Sequence, residues 1–109
     1  MDYFNDLENR EAKELAPGVM ARTFWGNKML LSIVDLEPGA VVPLHSHPHE
    51  QAGTVINGRL QLTIAGETRW VESGATYIIP GGIEHKAVGG DEPTRVLDIF
   101  SPVREDYQY

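Results

Sequence analysis

The chain has 109 residues, 41% of them hydrophobic, which is enough for one globular domain with a core and too few for two. A formal charge of −7 argues against nucleic acid or an anionic membrane surface as partner, since both need clustered Lys and Arg. It does not exclude an acidic small molecule, because a bound divalent cation can dominate the local field.

Cysteine is absent, so there is no disulfide framework, thiol nucleophile or thiolate metal site. The N-terminus carries no apolar signal-like region and no later stretch is long enough to span a bilayer, so a cytoplasmic protein is expected. Residues 1–16 form a polar, acidic segment with a short helical turn expected over 8–15, and residues 17–109 form the domain proper. Pro17-Gly18 breaks the chain, and Val19–Trp25 begins a run of β-forming residues. Gly26-Asn27 is a tight-turn dipeptide, after which 28–36 continues as a second strand, a hairpin signature.

After the turn Glu37-Pro38-Gly39, residues 41–44 read as a strand leading into His45-Ser46-His47-Pro48-His49. Three of the four histidines thus fall within five positions, the fourth being His85. Residues two apart on a strand share a face, so His45 and His47 project side by side as paired imidazole ligands for a borderline transition metal. His49 has the same parity, but Pro48 points to a turn that leaves it peripheral. Asn57-Gly58 within 54–64 is the strongest hairpin signal, with Leu60, Leu62 and Ile64 alternating against Arg59, Gln61 and Thr63. Strands follow at 68–71 and Thr76–Ile79, and Pro80-Gly81-Gly82 is a hard stop before His85. Residues 89–93 are loop, 94–100 the last strand, and 101–109 a polar tail. Short strands with Gly/Pro punctuation indicate an all-β sandwich or barrel.

Two blocks carry a family resemblance. Gly39-x5-His45-x-His47-x3-Gln51-x6-Gly58 and Gly74-x5-Pro80-x-Gly82-x2-His85 resemble the two signature motifs of the cupin superfamily. The likeness implies a small single-domain cupin, a jelly-roll-like β-barrel, with one divalent transition metal ion held by His45, His47, Gln51 and His85. Gln51 stands where the usual motif has glutamate, and Gly89 where it has asparagine. Three imidazoles and a carboxamide leave the double charge uncompensated, making a stronger Lewis acid towards an anionic substrate. Ni²⁺, Fe²⁺, Mn²⁺ and Zn²⁺ all suit such ligands.

The segments 45–51 and 97–107 further resemble the KdgF-type cupins of pectin and alginate breakdown. That resemblance implies ring opening of 4,5-unsaturated monouronates to linear keto acids, with a small anionic sugar acid as partner. It also matches a catalytic aspartate to Asp98, and substrate-lining aromatic and arginine residues to Phe100 and Arg104. By residues alone, Asp98 shares its strand face with Val96 and Phe100, where desolvation would raise its pKa and suit a proton shuttle. Leu97 and Ile99 make the opposite face apolar too, so periodicity leaves the inward face open. Arg104 either clamps a carboxylate or pairs with Glu105 or Asp106. Trp25, Trp70 and Tyr77 read as core or subunit-interface residues, and Glu84 as a solvated neighbour of His85. The alternatives are a cupin dioxygenase or other oxidoreductase acting on a small organic acid, and a non-catalytic sugar-acid binding module. Exposed sheet edges need covering, which points to a homodimer.

Overall fold

The computed structural model describes residues 3–109 as ten strands in two facing sheets. In chain order these are β1 (Lys13–Ala16), β2 (Val19–Trp25), β3 (Leu30–Leu36), β4 (Val41–His45), β5 (Glu50–Asn57), β6 (Arg59–Ile64), β7 (Glu67–Glu72), β8 (Thr76–Ile79), β9 (His85–Gly89) and β10 (Thr94–Ser101). The larger sheet has the order β1-β2-β3-β10-β5-β8 and the smaller β4-β9-β6-β7, with every pairing inside them antiparallel. After β3 the chain passes repeatedly from one sheet to the other, as in a jelly roll, and the core lies between them.

Period-2 alternation builds that core. On β2 and β3 the inward set is Val19, Ala21 and Thr23, side by side with Leu30, Ser32, Val34 and Leu36 on the same sheet face. From the other sheet Leu60 and Leu62 close over them. On β10 the buried residues are Thr94, Val96 and Phe100, so the even-numbered face is the inner one and carries Asp98 with it.

Four expectations are corrected. Residues 8–15 form no helical turn: a turn closes with Arg10 N–H donating to Leu7 O, and 13–16 is strand β1, paired with β2, so the sheet begins ahead of Pro17. Asn57-Gly58 is not a hairpin, because β5 and β6 lie in different sheets; it is the corner between them. Only Gly58 has a positive φ there (80°), and a Cβ on it would stand 2.6 Å from Thr94 Oγ1 and 2.7 Å from Pro93 O. The corner therefore demands glycine on two counts. The genuine tight hairpin joins β6 to β7 through Ala65 (φ 49°) and Gly66 (φ 80°), the two positive φ values of a type I′ turn.

The third correction is β9 (His85–Gly89): the stretch after His85, to which the sequence assigns no element, is a strand, and Gly89, expected in a loop, is its last residue. The strand is central in its sheet, flanked by β4 and β6. Fourth, the segment expected only as a polar tail packs back onto the domain. A short 3₁₀ turn at Glu105–Tyr107 folds back, Thr23 Oγ1 donates to Tyr107 O at 2.6 Å, and the Tyr107 ring packs edge-on against Phe100. Trp25 and Trp70 are about half exposed (44% and 47%) and lie outside the core.

Candidate metal centre and adjoining cavity

Strand pairing brings the two histidine segments together. His45 ends β4 and His85 begins β9, and the two are direct cross-strand partners. His47 follows in the short link to β5, which is latched from the other side by Gly82 N–H donating to His47 O at 2.8 Å. Gln51 is the second residue of β5. One ligand atom from each of His45, His47 and His85 lies within 4.8 Å of the others, and Gln51 Oε1 is 3.0 Å from His47 Nε2.

Each of the three imidazoles turns its Nδ1 to a backbone carbonyl: Pro43 O for His45 (2.8 Å), His49 O for His47 (3.1 Å) and Ile83 O for His85 (2.9 Å). A carbonyl only accepts, so Nδ1 carries the proton and Nε2 keeps its lone pair, the arrangement of metal-ligating histidine. Burial lowers the His47 pKa to about 4, aided by the charge of Arg104, and burial also lowers that of His85. Both rings are thereby held neutral, as ligation requires. His85 Nε2 is buried with no partner among the described residues. His47 Nε2 and Gln51 Oε1 are then two acceptors facing one another, which a shared cation satisfies. Their 3.0 Å separation suits two ligands about 2.1 Å from one ion at a right angle, which lie about 3.0 Å apart. The residues fit a divalent transition ion. His49 stands outside the triad; its carbonyl anchors His47.

His45, Gln51, His85, Asp98, Phe100 and Arg104 line a single cavity, and His47 reaches its wall through an edge-on contact with Phe100 (centroids 5.4 Å apart). Asp98 Oδ1 accepts a 2.6 Å hydrogen bond from the Tyr77 hydroxyl. Burial pushes the Asp98 pKa up to about 6, against the pull of hydrogen bonds from Tyr77 and Gln51 and of the Arg104 charge. The Arg104 guanidinium stacks over the Tyr107 ring at 3.8 Å and sits 5.1 Å from the Phe100 centroid. Its Nε also reaches Asp106 Oδ1 at 3.1 Å, so the ion pair and the cavity position coexist.

Among the polar residues lining the cavity, sequence reasoning did not single out Ser32 or Tyr107, and it read Tyr77 as core or subunit interface; Tyr77 does pack against the core and also lines the cavity. Ser32 had a readable signal, being a hydroxyl on the otherwise apolar inward face of its strand, where its Oγ is buried without a partner among the described residues. Tyr77 and Tyr107 had none, since their places depend on a strand two positions away and on the tail's return.

A family model described as a cupin domain matches residues 32–100. The pectin degradation protein KdgF of Dickeya dadantii (strain 3937) is 30% identical over 107 residues, covering 96% of both chains. The solved structure of KdgF from a Halomonas species superposes with a TM-score of 0.90 at 27% identity, over 97% of this chain and 98% of that one. An RmlC-like cupin from Shewanella frigidimarina has a TM-score of 0.91 at 23% identity, covering 98% of this chain and 96% of that one, a likeness of fold.

Proposed function

The chain belongs to the cupin family, and from that premise we propose that it opens the ring of 4,5-unsaturated monouronates to give linear 5-keto uronates, using a divalent transition ion at His45, His47, Gln51 and His85. The observation that carries this reading is the convergence of three carbonyl-anchored imidazoles with Asp98 and Arg104 in one cavity, in a chain that resembles KdgF along nearly its whole length. When bound, the ion supplies Lewis-acid polarisation of substrate oxygens and charge compensation for an acidic ligand.

The chain's own residues supply the rest. Arg104, its side chain 11% exposed and its plane fixed on Tyr107, offers a fork of donors to the uronate carboxylate. Phe100 and Tyr107 give apolar ring faces that exclude water from the bound sugar. Asp98, in its ionised form, takes the proton of the anomeric hydroxyl; the bond from C1 to the ring oxygen breaks and C1 becomes an aldehyde. The electron pair passes to the enolate of C4, C5 and the former ring oxygen, and proton return at C4 yields the 5-ketone. The step is an isomerisation, balanced without oxidant or reductant. A carboxyl with a pKa near 6 suits a group that both takes and gives a proton close to neutral pH.

The test is to incubate metal-loaded protein with unsaturated galacturonate and unsaturated mannuronate/guluronate monomers and follow the ring-olefin signal by NMR. Its loss, with a linear keto acid appearing faster than in protein-free controls, is expected for at least one monomer. No acceleration for any of them overturns the reading.

A further inference from the structure

Reading across the larger sheet, Thr23, Ser32, Asp98, Gly53 and Tyr77 are consecutive cross-strand neighbours on β2, β3, β10, β5 and β8. This polar rung is flanked by Ala21, Val34, Val96 and Val55 on one side and by Leu30, Phe100, Gln51 and Ile79 on the other. Asp98 and Tyr77 belong to strands separated by β5, so their backbones are about 10 Å apart. They touch because residue 53 has no side chain. A Cβ on Gly53 would collide with the Tyr77 hydroxyl and stand 2.5 Å from Asp98 Oδ1. The glycine is thus a window through which a hydroxyl reaches a carboxylate that faces the cavity.

We infer that Tyr77 is a positioning residue acting through Asp98: its hydroxyl occupies Oδ1, so that the second carboxylate oxygen is the one that exchanges a proton with the bound uronate. This deepens the ring-opening reading and rests on it. Burial holds the Tyr77 pKa well above its ordinary value, so the group remains a donor at any working pH and does not itself act as an acid. Without this donor the carboxylate keeps only its hydrogen bond from Gln51, and its terminal torsion, broad for aspartate, is far less restricted. Fixing it converts a mobile base into one already aimed, and supporting contacts of this kind are worth about 10- to 100-fold in activity.

Two variants separate the hydroxyl from the ring. Tyr77→Phe keeps the packing and removes the donor. Gly53→Ala keeps both the hydroxyl and the carboxylate and closes the window between them. In metal-loaded protein, each is expected to lower kcat about 10- to 100-fold with KM and metal stoichiometry unchanged. A second readout needs no turnover. In crystals of metal-free wild type, Tyr77→Phe and Gly53→Ala, the Asp98 carboxyl is expected to hold one orientation in the first and to rotate in the other two. Unchanged kcat in Tyr77→Phe, or an Asp98 carboxyl that keeps its orientation without the hydroxyl, overturns the inference. Wild type without turnover but with the carboxyl rotating in the variants fails the ring-opening reading and leaves Tyr77 only an anchor of Asp98, which also removes the catalytic half of the inference.

Discussion

Replacing Asp98 by Asn should make the metal-free protein more stable at neutral pH while abolishing turnover. The folded protein raises the Asp98 pKa from 3.8 to about 6, chiefly by burial, so ionising it at pH 7 costs stability. About two pH units correspond to about 3 kcal/mol, an upper bound because the carboxyl also borders the cavity. The sign follows from linkage. Below pH 3.8 the group is protonated in both states and costs nothing; between about 4 and 6 the unfolded chain gives up its proton first, so wild type loses stability as pH rises. Asn has no such charge, and its side-chain oxygen still accepts from Tyr77. The advantage of Asp98→Asn should therefore be near zero at pH 4 and grow to about 1–3 kcal/mol above pH 6.5. Urea unfolding of both metal-free proteins at matched pH values measures it. Taking the difference cancels the histidines, which titrate in both chains. An advantage that does not vary with pH, or that shrinks as pH rises, would refute the account of Asp98 as a carboxyl confined by burial. Metal content should be the same in both proteins.

Three further outcomes are expected. In metal-free Asp98→Asn the remaining pH dependence comes from His47 and His85, whose folded pKa values are lowered, His47 to about 4. The unfolded chain takes up those protons first, so stability should fall as pH drops from about 6.5 towards 4, by up to about 3 kcal/mol for His47, in the same urea series. Ser32→Ala removes a buried hydroxyl that has no partner among the described residues; folding stability should be unchanged or raised by about 1 kcal/mol, while KM for the uronate increases, read by calorimetric unfolding beside steady-state kinetics. Arg104→Lys keeps the charge but loses the fork and the stack on Tyr107, so KM should rise about 10-fold with kcat affected less.

Much of this protein was determined by local chemistry and was legible in the chain. The alternation of Leu60, Leu62 and Ile64, the turn glycines, and the two-residue spacing of His45 and His47 depend only on near neighbours, and a strand's period of two acts the same wherever the strand is placed. What the tertiary structure alone decided is which strands meet. Asn57-Gly58 serves a hairpin or a corner equally well, and the pairing of β5 with β10 and β8 selects the corner. Lys86-Ala87-Val88 is too short and mixed to declare a strand, yet Ala87 and Val88 are paired with both β4 and β6, and that pairing sets His85 opposite His45. Asp98 has apolar residues on both faces, so only the partners of β10 turn it inward. Tyr77 reaches it across Gly53, a meeting of residues 21 positions apart that no local pattern encodes, because hydrogen bonds between strands are blind to distance along the chain.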